Sequence, residues 1–469
     1  MITSFVRGAV VVLATATVAT AQQPPAIRAL GPVSASSDMA FGEVLYVRHL
    51  KGGVLVNDIR SRKLVLLDDK LSNATVIADS TPATATAYSG RSASLLPYKG
   101  DSSLFVDAQS MSMLVIDPAG QLTGRVMSIP RSQDAMVLGN PQLGLPGFDP
   151  SGRLIYRGMP AFQMRAPARA ANPQAGGSAG APAFSMPDIP DSAAVVRMNL
   201  ATRALDTAGF VKTPKVKIDM QNDNGRITMQ TIVNPLPLVD DWAVLSDGSV
   251  ALIRGRDYHI DWVRPDGTKE TAVKMPFDWQ RLTDDDKRAF IDSVKVARDR
   301  LAAAAPQPAV PGVAGATGGA AGGAGGGANG GLRVQIFGDG PGGGGRDGGR
   351  DGGRDGGRDG GAAGGVRGGN MFGGGGANMS FVTPDELPDY KPPFFVGNTK
   401  ADMDGHLWIR TIPTKGIAGG PVYDVINNKG ELIERVQVPA DRTIIGFGAD
   451  GVVYLRVGAT SKIERARFK

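Results

Sequence analysis

Short runs of aliphatic and aromatic residues recur along this chain, each entered from a glycine turn. Gly53 precedes Val54-Leu55-Val56, Gly100 precedes Leu104-Phe105-Val106, and Gly152 precedes Leu154-Ile155-Tyr156. Gly248 precedes Val250-Ala251-Leu252-Ile253, Gly405 precedes Leu407-Trp408-Ile409, and Gly451 precedes Val452-Val453-Tyr454-Leu455. The steps from Gly53 to Gly100, Gly100 to Gly152 and Gly405 to Gly451 are 47, 52 and 46 residues. That is the length of four short antiparallel strands with their turns. Six such units predict an all-β fold, a six-bladed β-propeller.

Strand and turn chemistry agree within the units. In the first, Val44 to Leu50, Val54 to Ile59, Leu64 to Asp68 and Thr75 to Ala78 read as strands, and in the second Asp117-Pro118-Ala119-Gly120 reads as a type I turn. The wider steps mark insertions. Residues 159–192, rich in Pro, Ala and Gly, predict a long surface loop in the third unit, and 215–233 predicts an added hairpin about Asn224-Gly225. Blades one to four therefore occupy 22–281.

Over 282–305 the period changes to that of a helix. Thr283 and Asp286 form a capping-box variant, Asp284 and Asp285 suit the positive helix end, and Phe290, Val294, Ala297 and Leu301 share a face. From 306 to 380 the chain is Gly-rich, with four copies of Arg-Asp-Gly-Gly starting at Arg346, Arg350, Arg354 and Arg358. Too few apolar residues and too much backbone entropy predict disorder there. Blades five and six occupy 381–469, and the last is one strand short. The segment Ile27 to Val33 is expected to supply the missing outer strand and close the ring.

Composition sharpens this picture only at the N-terminus. Arg7, the apolar stretch Ala9 to Val18 and Ala19-Thr20-Ala21 have the three parts of a secretory signal, so 1–21 is expected to be removed on export. The apolar run is about half the roughly 20 residues a membrane span needs. With no cysteine, neither a disulfide nor a lipidated thiol is available, and a periplasmic or secreted location is expected. The net charge of +6 is spread along the chain, and the Arg-Asp pairs cancel, so no nucleic-acid partner is expected.

The six glycine turns, together with Asp404 to Ile409 and the turn Trp262-Val263-Arg264-Pro265-Asp266-Gly267, resemble the secreted bacterial six-bladed propellers of the TolB-like and NHL-like group. No Gly-His and Trp-Asp pair recurs, unlike the WD40 type. The resemblance covers about Ile27 to Phe468 apart from the insertions. It implies a fold shared by scaffolds, peptidoglycan-complex partners, sugar-lactone hydrolases and lyases, and selects none of them.

Candidate chemistry is sparse. The histidines are His49, His259 and His406, and the last two lie in or beside apolar strands, where a structural role is expected. There is no His-Glu-x-x-His motif or phosphate loop. Propeller lactonases hold a divalent cation in the central channel on Asp, Asn and Glu, which by that resemblance singles out Asp149, Asp241 and Asn398. Against this, Asp149 begins a Pro-Gly turn that its own side chain would cap, and Asp241 precedes a strand. Asp402-Met403-Asp404-Gly405 resembles the start of a calcium loop but lacks its distant Glu, so a tight turn is expected. Trp242, Trp262 and Trp408 fall in predicted strands and are expected to fill gaps between blades, leaving Trp279 outside them.

No catalytic residue, cofactor site or metal ligand is assigned from these patterns. They predict an exported non-catalytic propeller that binds or scaffolds a protein or cell-envelope ligand. The alternative is a metal-dependent lactonase-like hydrolase or lyase with its site in the channel.

Overall fold

The apolar run after each glycine turn forms the second strand of a blade, and its burial explains its composition. In Gly53–Asp58 and Ser103–Asp107 every residue is buried, whereas outer strands such as Leu122–Ser128 and Lys269–Thr271 are exposed almost throughout. A strand covered on both faces by neighbouring blades has no polar side, so its sequence runs continuously apolar rather than alternating. The computed structural model describes residues 24–81, 88–159, 190–215, 217–223, 226–304, 379–414 and 419–468. The expected signal peptide, the body of the 159–192 loop, the Asn224-Gly225 turn and nearly all of the Gly-rich segment lie outside the described residues.

Six sheets of mainly antiparallel strands follow one another around a ring. Blade one is Val44–Leu50, Gly53–Asp58, Lys63–Leu67 and Ala74–Ala78, and blade two is Ala93–Pro97, Ser103–Asp107, Ser112–Ile116 and Leu122–Ser128. Blade three is Gly147–Phe148, Leu154–Arg157, Ser192–Met198 and Leu205–Lys212, and blade four is Asp241–Val244, Val250–Arg254, His259–Val263 and Lys269–Thr271. Blade five is Lys400–Ala401, Leu407–Arg410, Val422–Ile426 and Leu432–Gln437, and blade six is Arg442–Phe447, Val452–Val457 and Ile463–Arg467. The chain is a six-bladed β-propeller.

The N-terminal segment closes the ring, but not over the expected residues. Val33–Ser36 pairs antiparallel with Ile463–Arg467 as the outer strand of blade six, while Ile27–Ala29 pairs parallel with Leu432–Gln437 as a fifth strand on blade five. The crossover falls between Leu30, whose N–H donates to Gln437 O at 2.9 Å, and Gly31, whose N–H donates to Arg467 O at 3.1 Å. A Cβ on Gly31 would collide with that same carbonyl. One extended segment thus covers two sheet edges, protecting both from pairing with other chains.

The hairpin Lys217–Asp223 and Arg226–Val233 forms a seventh, small sheet, completed by a parallel strand, Met379–Phe381. The end of the segment expected to be disordered to 380 is therefore a strand, because it has an open sheet edge to join. The helix Asp284–Ala304 begins with a reciprocal cap: Thr283 N–H and Oγ1 both donate to Asp286 Oδ2 at 2.9 and 2.7 Å, and Asp286 N–H donates to Thr283 Oγ1 at 3.2 Å. Its buried stripe is Lys287, Ile291 and Val294, with Phe290 packed beside them against Leu236, Val382, Leu387 and Ile412. Lys287 enters this stripe because its ammonium donates to Asp389 Oδ1 at 2.8 Å.

Candidate functional site: the central channel

Antiparallel strands reverse direction at each turn, which divides the connections of the ring between two faces. Turns joining first to second strands share one face. Those joining second to third strands, or one blade to the next, share the other. The hairpin sheet, the helix and both ends of the 160–189 and 305–378 segments therefore attach to one face, opposite the first hairpin turns.

On the insertion face the channel is plugged by the segment 140–145. Asn140 Oδ1 accepts from Gln142 N–H at 3.1 Å, holding Pro141–Leu143 as a single 3-10 turn beside the inner strand of blade one. From blade four, Trp242 Nε1–H donates to Leu143 O at 2.9 Å. Gly144, with φ at 104°, lies against the Trp242 indole where no side chain fits.

Asp241 stands at this plugged end. It is 3% exposed and accepts from the N–H groups of Gly397 at 3.0 Å and Thr399 at 3.1 Å on Oδ2, and from Trp242 N–H at 3.0 Å on Oδ1. Burial pushes its carboxyl above the usual range, and these hydrogen bonds oppose that shift. Asn398 is brought beside it, but its Nδ2 donates to Val396 O at 3.2 Å. Asp241 fastens the entry of blade five to blade four, whereas the Asn398 bond stays within that entry.

Beyond the plug lies a cavity of about 780 Å³ that opens among the first hairpin turns. Tyr46 and Arg48 of blade one, Tyr98 and Lys99 of blade two, Phe148 and Asp149 of blade three, Asp402 of blade five and Phe447 of blade six contribute to its wall. Tyr98 and Phe148 meet edge to face with centroids 5.3 Å apart. Burial raises the Tyr46 phenol pKa, and the charge of Arg48 works against it.

Asp149 is at this mouth, a strand length from Asp241, so the structure does not join the two carboxylates. Asp149 accepts from Arg153 N–H at 2.9 Å and from Arg153 Nε at 2.6 Å, capping its own turn. Asp402 does the same for Asp402–Gly405: Oδ1 accepts from the N–H groups of Asp404 and His406, and Oδ2 from Trp408 Nε1 at 3.0 Å. His406 Nδ1 lies 2.9 Å from Asp402 Oδ2, His259 Nδ1 lies 2.7 Å from Asp257 Oδ1, and His49 Nδ1 lies 2.9 Å from Tyr454 Oη. Among the described residues no group of three or more acidic or histidine side chains could hold a metal ion.

Trp242, Trp262 and Trp408 are buried between strands, and Trp279 is 36% exposed with its ring against Phe277. Arg48 escaped sequence reasoning altogether. A single basic residue in an apolar strand carries no motif, and only closure of the ring places it on the cavity wall.

No protein-family model matches this chain, and no curated protein matches it. Among solved structures, a streptogramin B lyase shares 9% identity over 92% of this chain and 95% of its own, with a TM-score of 0.34. A calcium-binding regucalcin from Agrobacterium tumefaciens shares 12% over 94% and 95%, with a TM-score of 0.35. A DUF4221 family member from Bacteroides vulgatus shares 9% over 95% of both chains, with a TM-score of 0.36. Likeness at this level says nothing of chemistry. The closed ring of six sheets establishes the fold by itself.

Proposed function

We propose that the protein is an exported, non-catalytic binding propeller that recognises a protein or cell-envelope ligand. One observation carries this reading: Asp149, Asp241 and Asp402, buried carboxylates at the two ends of the channel, each accept on both oxygens from the turn or strand entry they hold. A carboxylate that already accepts on both oxygens has fewer lone pairs left to offer a cation. The leader-like residues 1–21 support export.

Calcium titration of the purified chain, followed by elemental analysis and a lactone-hydrolysis assay, tests the proposal. We expect no stoichiometric calcium and no hydrolysis. One calcium per chain together with turnover of gluconolactone would replace the binding reading with the lactonase-like one.

A further inference from the structure

We infer that the channel mouth binds an organic anion with an apolar body, its charged group held by Arg48; this rests on the binding reading above. Several half-buried arginines elsewhere in the chain are paired with carboxylates. Arg131 meets Asp134 at 2.6 Å, Arg153 meets Asp149 at 2.6 Å, Arg254 meets Asp261 at 2.8 Å, Arg435 meets Asp424 at 3.1 Å, and Arg442 meets Glu464 at 2.7 Å. Arg157 and Arg410 also bury an Nε without a hydrogen bond, but neither lines the cavity; Arg157 feels the charge of Asp241, and Arg410 lies over the Phe395 ring at 5.2 Å. Arg48 is the exception on the cavity wall. Its Nε is buried, and its side chain has no hydrogen bond or ion pair among the described residues.

A guanidinium keeps its charge at any pH the protein survives, and burying one of its donors without an acceptor costs free energy. An anion entering the cavity gains a charge-assisted hydrogen bond from the terminal guanidinium nitrogens, which unlike Nε are not among the buried unsatisfied atoms. The rest of the wall selects what carries the charge. Besides the charged Lys99, Asp101, Asp149, Lys400 and Asp402, the wall holds Tyr46, Leu95, Tyr98, Phe148 and Phe447, which give it an aromatic and aliphatic surface, and about 780 Å³ is the size of a small-molecule site. A bare inorganic anion would leave those rings wet. A carboxylate or sulfonate on an apolar body satisfies both Arg48 and the rings.

The test uses the full mature chain and the fluorescent sulfonate 8-anilino-1-naphthalenesulfonate. We expect saturable one-to-one binding that weakens with salt and at least about tenfold in Arg48→Gln, whose melting temperature confirms folding. In the unmutated chain, 4-phenylbutyrate should displace the probe and the neutral isostere 4-phenylbutanamide should not. Equal displacement by acid and amide, or unchanged affinity in a folded Arg48→Gln, overturns the proposal. Such a failure alongside a silent calcium titration removes the ligand class alone, whereas calcium-dependent lactone hydrolysis removes the binding reading beneath it.

Discussion

Tyr258 Oη donates to Asp424 Oδ2 at 2.7 Å, joining blade four to blade five across the longest insertion in the chain. Both residues are buried, and Arg435 Nε donates to the other oxygen of the carboxylate at 3.1 Å. Related contacts recur around the ring: Tyr88 Oη donates to Asn57 at 2.8 Å, Tyr156 Oη to Asp134 at 2.6 Å, and Tyr454 Oη meets His49 across the seam between blades six and one at 2.9 Å. Each tyrosine fills apolar space between strands with its ring and meets a buried or half-buried polar group with its hydroxyl.

Tyr258→Phe should therefore destabilise the ring by about 1–3 kcal/mol, the cost of leaving a buried acceptor short of a donor. Urea unfolding measures the loss. An unchanged midpoint would mean that the seam does not depend on this pair.

Gly144→Ala should cost about 2–4 kcal/mol, because the position combines a φ of 104° with contact against the Trp242 indole. Loss of the Leu143 carbonyl bond should also expose Trp242, seen as a red shift of its fluorescence. Wild-type stability and emission in this variant would show that the plug is not held as described.

Truncation separates the two N-terminal strands. A chain starting at Gly31 loses the Ile27–Ala29 pairing with blade five and keeps Val33–Ser36 on blade six, so it should stay closed with a modest fall in Tm. A chain starting after Ser36 exposes the Ile463–Arg467 edge and should melt far lower and aggregate, followed by light scattering. Equal melting of both chains would contradict this division.

Alkali provides a titration test. Burial pushes the Tyr454 phenol up to about 12 from an ordinary value of 10.0. Its contribution to stability is full below about pH 10 and is lost as pH rises towards 12, since the unfolded chain releases that proton first. Unfolding free energy should fall across that window, and less steeply in Tyr454→Phe. Identical slopes in the two proteins would remove Tyr454 from the linkage.

The second strands were legible in the sequence because two-sided burial leaves no polar positions, and the helix because Thr283 and Asp286 mark its start. The closing strand was misplaced by several residues. Any extended segment can pair with an open edge, and the choice of Val33–Ser36 for blade six depends on how far the chain reaches from Ile27–Ala29 on blade five. The strand Met379–Phe381 was hidden for the same reason, since its partner Arg226–Val233 is remote in sequence.

Local sequence determined the repeat, its turns and the number of blades, because these follow from side-chain period and glycine placement within a few residues. Aspartates such as Asp149 and Asp402 were likewise legible as turn caps, whose partners lie within a few positions. Only the tertiary structure decided which ends of the channel are plugged and open, which strand closes the ring, and that Arg48 faces the cavity beside Tyr46, Tyr98 and Phe447. Those relations arise between blades, from residues far apart in the chain, and exist only once the ring has closed.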